Sequence, residues 1–171
     1  MATGETCADS IANGAEKIAS ALLAGNRVFT CGEHSSSLVA QLLTDYLSQG
    51  YEIDRPGFPS LNLNQIAQQS AAAERYNQAL KTQAVSGDIL VLLSSGDNSS
   101  LLLGALNTAL DRGMSIILVS TESDTSLINL VSYNDVHINI GSAPAPLITQ
   151  SQLQIVQCLC ALIDSHIFGG E

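Results

Sequence analysis

Residues 88–120 read DILVLLSSGDNSSLLLGALNTALDRGMSIILVS, and this stretch decides the fold. Asp88–Ser94 is an unbroken apolar run, the pattern of a strand covered on both faces. A Ser-rich segment follows. A helical pattern then occupies 99–112 and stops at Gly113, and Ser115–Ser120 repeats the buried-strand pattern. Two such strands joined through a helix form a unit whose strands run parallel.

The same alternation extends in both directions. Residues 7–24 carry Ile11, Ala15, Ile18, Ala19, Leu22 and Leu23 at helical spacing, and Gly25-Asn26 ends that helix. Arg27–Cys31 reads as a strand. Residues 35–49 read as a helix with Leu38, Leu42, Leu43, Tyr46 and Leu47 inward. Arg55-Pro56-Gly57 marks a loop, in which Arg55 is expected to fix a loop or an interface rather than touch substrate. Pro59–Leu63 reads as a second strand, and the Gln/Ala-rich stretch 65–85 as one long helix. Beyond Ser120, a short helix near 125–132 precedes a fifth strand at Asp135–Ile140. Pro144 and Pro146 open a final helix over about 147–167, closed by Gly169-Gly170. The expectation is a single domain, residues 1–171: an α/β three-layer αβα sandwich around a five-stranded parallel sheet.

Composition narrows the function classes. Charged residues are 13% of the 171, about half the usual share. So neutral a surface points to burial between subunits. Lys plus Arg number 6 against 16 Asp plus Glu, a net charge of -10, which repels a nucleic-acid backbone. Aromatics at 4%, without Trp, supply no base-stacking platform. No apolar run approaches the roughly 20 residues of a membrane span, and the start of the chain lacks the pattern of a signal peptide. Cys7, Cys31, Cys158 and Cys160 form no CxxC pair. They read as reduced and mostly buried, as in a cytoplasmic protein.

In open parallel sheets, ligands bind beyond the carboxyl ends of the strands. Two such ends here are rich in serine: Cys31-Gly32-Glu33-His34-Ser35-Ser36-Ser37 and Ser94-Ser95-Gly96-Asp97-Asn98-Ser99-Ser100. Hydroxyls and free N–H groups at helix starts suit a phosphate; the plainer reading makes these serines caps and turn formers. No Lys follows a Gly-rich loop, so neither is a Walker motif. Of the three histidines, His137 lies in a strand pattern and His166 in the last turn of a helix, where a cation suits the dipole. His34 lies in the first loop beside Glu33 and is the one candidate for acid–base chemistry.

The order Cys31-Gly32…Ser36, Arg55-Pro56-Gly57-Phe58-Pro59, Gly87-Asp88-Ile89-Leu90, Ser94-Ser95…Asn98-Ser99 and Arg112-Gly113-Met114 resembles the SIS (sugar isomerase) domain. Within that family it is similar to the phosphoheptose isomerase branch, and the run from Cys158 to Asp164 with Phe168 resembles the DnaA initiator-associating members. The resemblance covers about residues 8–168. It implies a flavodoxin-like five-stranded sheet, a sugar-phosphate pocket and homo-oligomers, tetramers or dimers. An amino-terminal helix of the family is expected to be short or missing here.

Family loops resemble CGNGGS and STSGNS; here they read CGEHSS and SSGDNS. Carried across, Ser36, Ser94 and Ser99 would contact phosphate, with Ser95 and Asn98 beside them. Glu33 and Asp97 put negative charge at an anion cradle. Two such charges about 4 Å apart repel by roughly 4 kcal/mol at an effective dielectric of about 20. Asp97 is expected to act as an N-cap. The enzymes resembled use a Glu and a His on facing helices, with a His and a Gln as metal ligands. The matching positions here are Leu42, Tyr46, Thr149 and Gln157, so zinc is not expected. The sugar-binding loop after the second strand is expected to be shortened, to Asn64–Ala73. The resulting expectation is a non-catalytic phosphosugar-binding regulator, with the replication initiator as a possible protein partner. The alternative is an isomerase converting sedoheptulose 7-phosphate to D-glycero-D-manno-heptose 7-phosphate, with His34 and Glu33 as its acid–base pair. A third possibility is a structural subunit that pairs with a catalytic paralogue.

Overall fold

The computed structural model describes residues 2–66 and 74–169, with side chains from Cys7 onward. In chain order the elements are α1 (Ala2–Leu23), β1 (Val28–Gly32), α2 (Ser35–Gln49), β2 (Ser60–Asn62), α3 (Leu63–Ile66), α4 (Arg75–Gln83), β3 (Ile89–Leu93), α5 (Ser100–Asp111), β4 (Ser115–Ser120), α6 (Thr125–Ile128), β5 (Val136–Asn139) and α7 (Ala145–Phe168). The five strands pair in parallel in the order β2-β1-β3-β4-β5.

Side chains on a strand alternate between its faces, so a strand covered on both sides feeds two cores. Ile89, Val91 and Leu93 of β3 enter one cluster, with Ile117 and Val119 of β4 and residues of α1, α2 and α7. Leu90 and Leu92 enter the other, with Ile116 and Leu118 of β4 and residues of α4 and α5. The expected three-layer αβα sandwich is therefore the observed one.

Local details differ from expectation. Leu38 is 72% exposed rather than inward. The buried stripe of α2 is Ser36, Val39, Ala40, Leu43, Thr44 and Leu47, and Leu38 lies on the opposite side of that 3.6-residue turn. Polar bonds set this rotation. Thr30 Oγ1 in β1 donates to Ala40 O (3.1 Å) and shares a hydrogen bond with Thr44 Oγ1 (2.7 Å), so a threonine sits where an apolar reading places leucine. Leu42 and Tyr46 are half-buried. Cys31 and Cys160 are buried, but Cys7 is half-buried and Cys158 is exposed, one position off the buried seam of α7. Of the helix expected over 65–85, the described residues show the end of α3 and all of α4, and Ala84-Val85 are not helical. Residues 67–73, which include most of the expected Asn64–Ala73 loop, lie outside the described residues, as does Gly170 of the expected helix stop.

The first and last thirds of the chain meet through α7, which packs along α1 and α2. This helix is long and apolar enough, by length and composition alone, to pass for a membrane span. Its Gln152 and Asp164 are nevertheless buried inside the protein. Asp164 accepts from Arg55 Nε at 2.6 Å, with both side chains almost fully enclosed. The same guanidinium donates to the carbonyls of Tyr46 and Leu47, the negative end of α2, and lies 4.0 Å from the Phe58 ring centroid. Arg55 thus fixes a loop between two helices, as its position in the RPGFP segment led us to expect.

Removing one partner of a buried ion pair strands the other charge, at a cost of about 3–5 kcal/mol. Arg55→Met is expected to lower unfolding stability in urea by that amount. The double variant Arg55→Met/Asp164→Leu is expected to recover most of it. A single-variant loss no larger than that of a surface substitution would show that the pair does not lock α2 to α7.

Candidate functional site

The strand order reverses direction at β1 and β3, and the carboxyl ends of these neighbours open a crevice of the type that holds ligands in such sheets. Both serine-rich loops lie there. After β1 the chain turns through Glu33 and His34 into α2. The turn is tight, since a Cβ on Gly32 would sit 2.7 Å from the Ser36 carbonyl oxygen. Asn64 braces it from β2's side, donating from Nδ2 to Gly32 O (2.9 Å) and to the Tyr76 hydroxyl (2.7 Å). Burial first, then the nearby Cys31 and Glu33, push the Tyr76 phenol up to about 12, so it remains a neutral donor near neutrality.

After β3 the loop bends at Gly96 (φ +98), where a Cβ would meet Thr121 Oγ1 at 2.8 Å. Asn98 follows in the left-handed region (φ 48), a conformation Asn tolerates. Ser99 is the N-cap of α5, accepting from Leu102 N at 3.3 Å. This corrects the expectation for Asp97, which lies two residues too early to reach the first free N–H groups of the helix. Asp97 instead accepts from Ser95 Oγ (3.2 Å) and stands 3.9 Å from His34 Nε2 across the crevice.

The expected phosphate-site residues do come together, in two layers. Ser36 and Ser94 form the lower one. Ser36 Oγ donates to Gln152 Oε1 (2.9 Å) and Ser94 Oγ to Asp124 Oδ1 (2.7 Å), with both serines buried. Ser95, Asn98 and Ser99 lie higher and are partly exposed. Asn98 also ties its loop to the next one, donating from Nδ2 to Ser123 O (2.8 Å). Sequence reasoning missed Gln152 and Asp124. Asp124, fully buried, also takes a hydrogen bond from Thr121 N at 3.2 Å. The run Thr121-Glu122-Ser123-Asp124 before a short helix was the available signal for it. A glutamine inside a Gln-rich helix carries none.

His34, Glu33 and Asp97 make up the ionisable mouth of the crevice. His137, by contrast, sits in the edge strand, hydrogen-bonded to Ser120 Oγ at 2.9 Å, and burial lowers its pKa. His166 is exposed in the last turn of α7. The facing-helix positions do not fit the metal that the family resemblance implies. Leu42 has no donor atom, and Tyr46 stacks edge-on against Tyr51 at 4.9 Å. Thr149 Oγ1 is engaged with Ser35 Oγ (3.0 Å), and Gln157 offers only an amide. Among the described residues, no group of three or more His, Cys, Asp or Glu side chains is placed to hold a metal ion.

Comparison with known proteins matches residues 2–121 to the SIS domain. A phosphoheptose isomerase from Shewanella piezotolerans is 32% identical, over 98% of this chain and 88% of that protein. The structure of a phosphoheptose isomerase from Francisella tularensis superposes with a TM-score of 0.83 at 28% identity, covering 92% of this chain and 86% of that one. A phosphoheptose isomerase structure from Neisseria gonorrhoeae gives a TM-score of 0.84 at 18% identity, covering 95% and 89%, and supports the fold alone. These findings overturn the expectation of a non-catalytic regulator, and they show no replication-initiator partner. Relatives that match almost end to end bear the name of an enzyme.

His34 is where the site departs most from ordinary backbone. At φ 53 and ψ −130 it occupies a region that glycine enters freely and a side chain enters at a cost of about 1–3 kcal/mol. Replacing it by glycine removes that strain and adds back part of it as unfolded-state entropy. His34→Gly is expected to raise unfolding stability by about 1 kcal/mol, read as a higher urea midpoint at unchanged slope. A lower midpoint would mean that the histidine side chain stabilises the loop.

Proposed function

We propose that this chain, which belongs to the SIS-domain family, is an aldose–ketose isomerase of sugar phosphates, with sedoheptulose 7-phosphate as substrate. The observation that carries this reading is the pairing of two serine-rich loops at the β1/β3 crevice with an acid–base cluster at its mouth. In this reading Ser95, Asn98, Ser99 and the first N–H groups of α5 take the phosphate, where the helix dipole favours an anion. Ser36 and Ser94 hold the loops beneath it.

The reaction moves a proton between the carbon beside a carbonyl and the carbonyl carbon itself, with matching proton shifts on the oxygens. Atoms and oxidation level are conserved, so one base and one acid suffice in principle. Glu33 is assigned as the base that removes the carbon-bound proton and returns it to the neighbouring carbon. His34 is assigned to the oxygen-to-oxygen transfer. Asp97, 3.9 Å from His34 Nε2, helps to orient the imidazole at the mouth of the crevice.

Assembly fits the same reading. Leu23, Leu38 and Leu147 are exposed at 68%, 72% and 51%, apolar surface that a homodimer or homotetramer would cover. Free thiols suit a reducing, cytoplasmic setting.

A coupled assay on sedoheptulose 7-phosphate tests the reading. Turnover is expected in the wild-type chain and to fall by about 100-fold or more in His34→Ala, the usual scale of acid–base catalysis. The sugar phosphate is expected to raise the unfolding temperature, and Ser99→Ala to reduce that shift. Turnover that survives both His34→Ala and Glu33→Gln would remove these residues from the chemistry. No turnover and no thermal shift in the wild type would remove the function.

A further inference from the structure

Gln152 is a fully buried amide in the first half of α7. A buried amide is costly unless both of its ends are bonded, and here both are. Ser36 Oγ, at the start of α2, donates to its Oε1 at 2.9 Å. Its Nε2 donates to the main-chain carbonyl of Ser94, at the end of β3, at 3.0 Å. Among the described residues, Gln152 is the one side chain that hydrogen-bonds to both serine-rich loops from a third element. The chain of bonds continues beyond it, because Ser94 Oγ donates to Asp124, which also faces Asn98 N at 3.5 Å.

The bond to Ser94 O acts on the backbone itself. Across a trans peptide the carbonyl and the following N–H point in opposite directions, and the described residues contain no cis peptide. Holding Ser94 O toward α7 therefore fixes the Ser95 N–H pointing away from it. Gln152 sets two quantities at once: the separation of the loops and the orientation of the first peptide in the second loop. An aliphatic side chain of the same length would fill the space and set neither.

We propose that Gln152 is a positioning residue that determines the affinity of this crevice for the phosphate end of its ligand, a role that rests on the sugar-phosphate reading above. Phosphate binding needs several donors at fixed mutual distances. Letting the two loops drift apart lowers affinity without removing any group that handles protons.

The test compares wild type, Gln152→Leu and Leu159→Ala, a core variant on the same helix that touches neither loop. Hydrogen exchange without ligand is the first readout. Gln152→Leu is expected to lose protection at 33–37 and 94–102 together, whereas Leu159→Ala is expected to lose stability without that paired loss. Titration with sedoheptulose 7-phosphate is the second. Gln152→Leu is expected to weaken binding by about ten- to a hundredfold and to raise KM alike, with kcat within about threefold of wild type. Unchanged loop protection, or unchanged affinity beside a binding wild type, overturns the role of Gln152 and leaves the functional reading intact. If Gln152→Leu will not fold, Gln152→Met keeps the length of the side chain and removes both polar ends, and the same outcomes apply. A wild type that binds no sugar phosphate, while Gln152→Leu still loosens both loops, overturns the functional reading and the affinity role with it.

Discussion

β3 lies in the middle of the sheet, hydrogen-bonded to β1 on one side and β4 on the other, and its five residues are all buried. β3 carries no polar side chain along its length, and the rest of the architecture follows. Ile89, Val91 and Leu93 need α1, α2 and α7 over them, and Leu90 and Leu92 need α4 and α5. Polar groups are displaced to the strand ends. At the amino end Asp88, fully buried, accepts from the main-chain N–H groups of Arg27 and Val85, each at 2.9 Å, and seals the sheet. At the carboxyl end Ser94, Asp124 and Gln152 satisfy one another and leave the upper serines to solvent. Polar side chains gather at that end because the apolar centre of the sheet has no place for them.

The apolar runs made the strands legible, since alternation between two buried faces leaves an uninterrupted hydrophobic signature. Helix limits were legible where a glycine, proline or capping serine marks them, as at Ser99 and Gly113. What escaped was decided by side-chain hydrogen bonds between distant parts of the chain. Leu38 looks like a core residue until Thr44 and Ser36 are seen to turn α2 inward by their hydroxyls. Asp97 looks like a cap until the Gly96 bend carries it across to His34. Gln152 is one glutamine among several in its helix, and nothing local distinguishes the one that reaches two loops. The serine loops were found, but their division into a buried supporting layer and an exposed layer depends on α7, more than fifty residues away.

The relation between this site and the enzymes it resembles turns on which positions can tolerate a charged group. Leu42 and Tyr46 on α2 are half-buried, and Tyr46 packs edge-on against Tyr51, so a charged group there would lose part of its solvation. The loop between β1 and α2 has no such restriction. It is open to water and bounded by the amino-terminal ends of two helices, and the side chains of His34 and Asp97 stand exposed there. The backbone that carries Glu33 and His34 is closely held. Gly32 presses against Ser36, His34 is held at a strained φ, and Asn64 pins the turn to β2. Strain of this kind persists where the surrounding bonds over-determine the loop. In this chain α7 provides much of that determination. Gln152 fixes the loops at its amino-terminal half, and Asp164 anchors its other half to α2 through Arg55. The last helix, which lies in neither serine-rich loop, therefore holds the geometry of both.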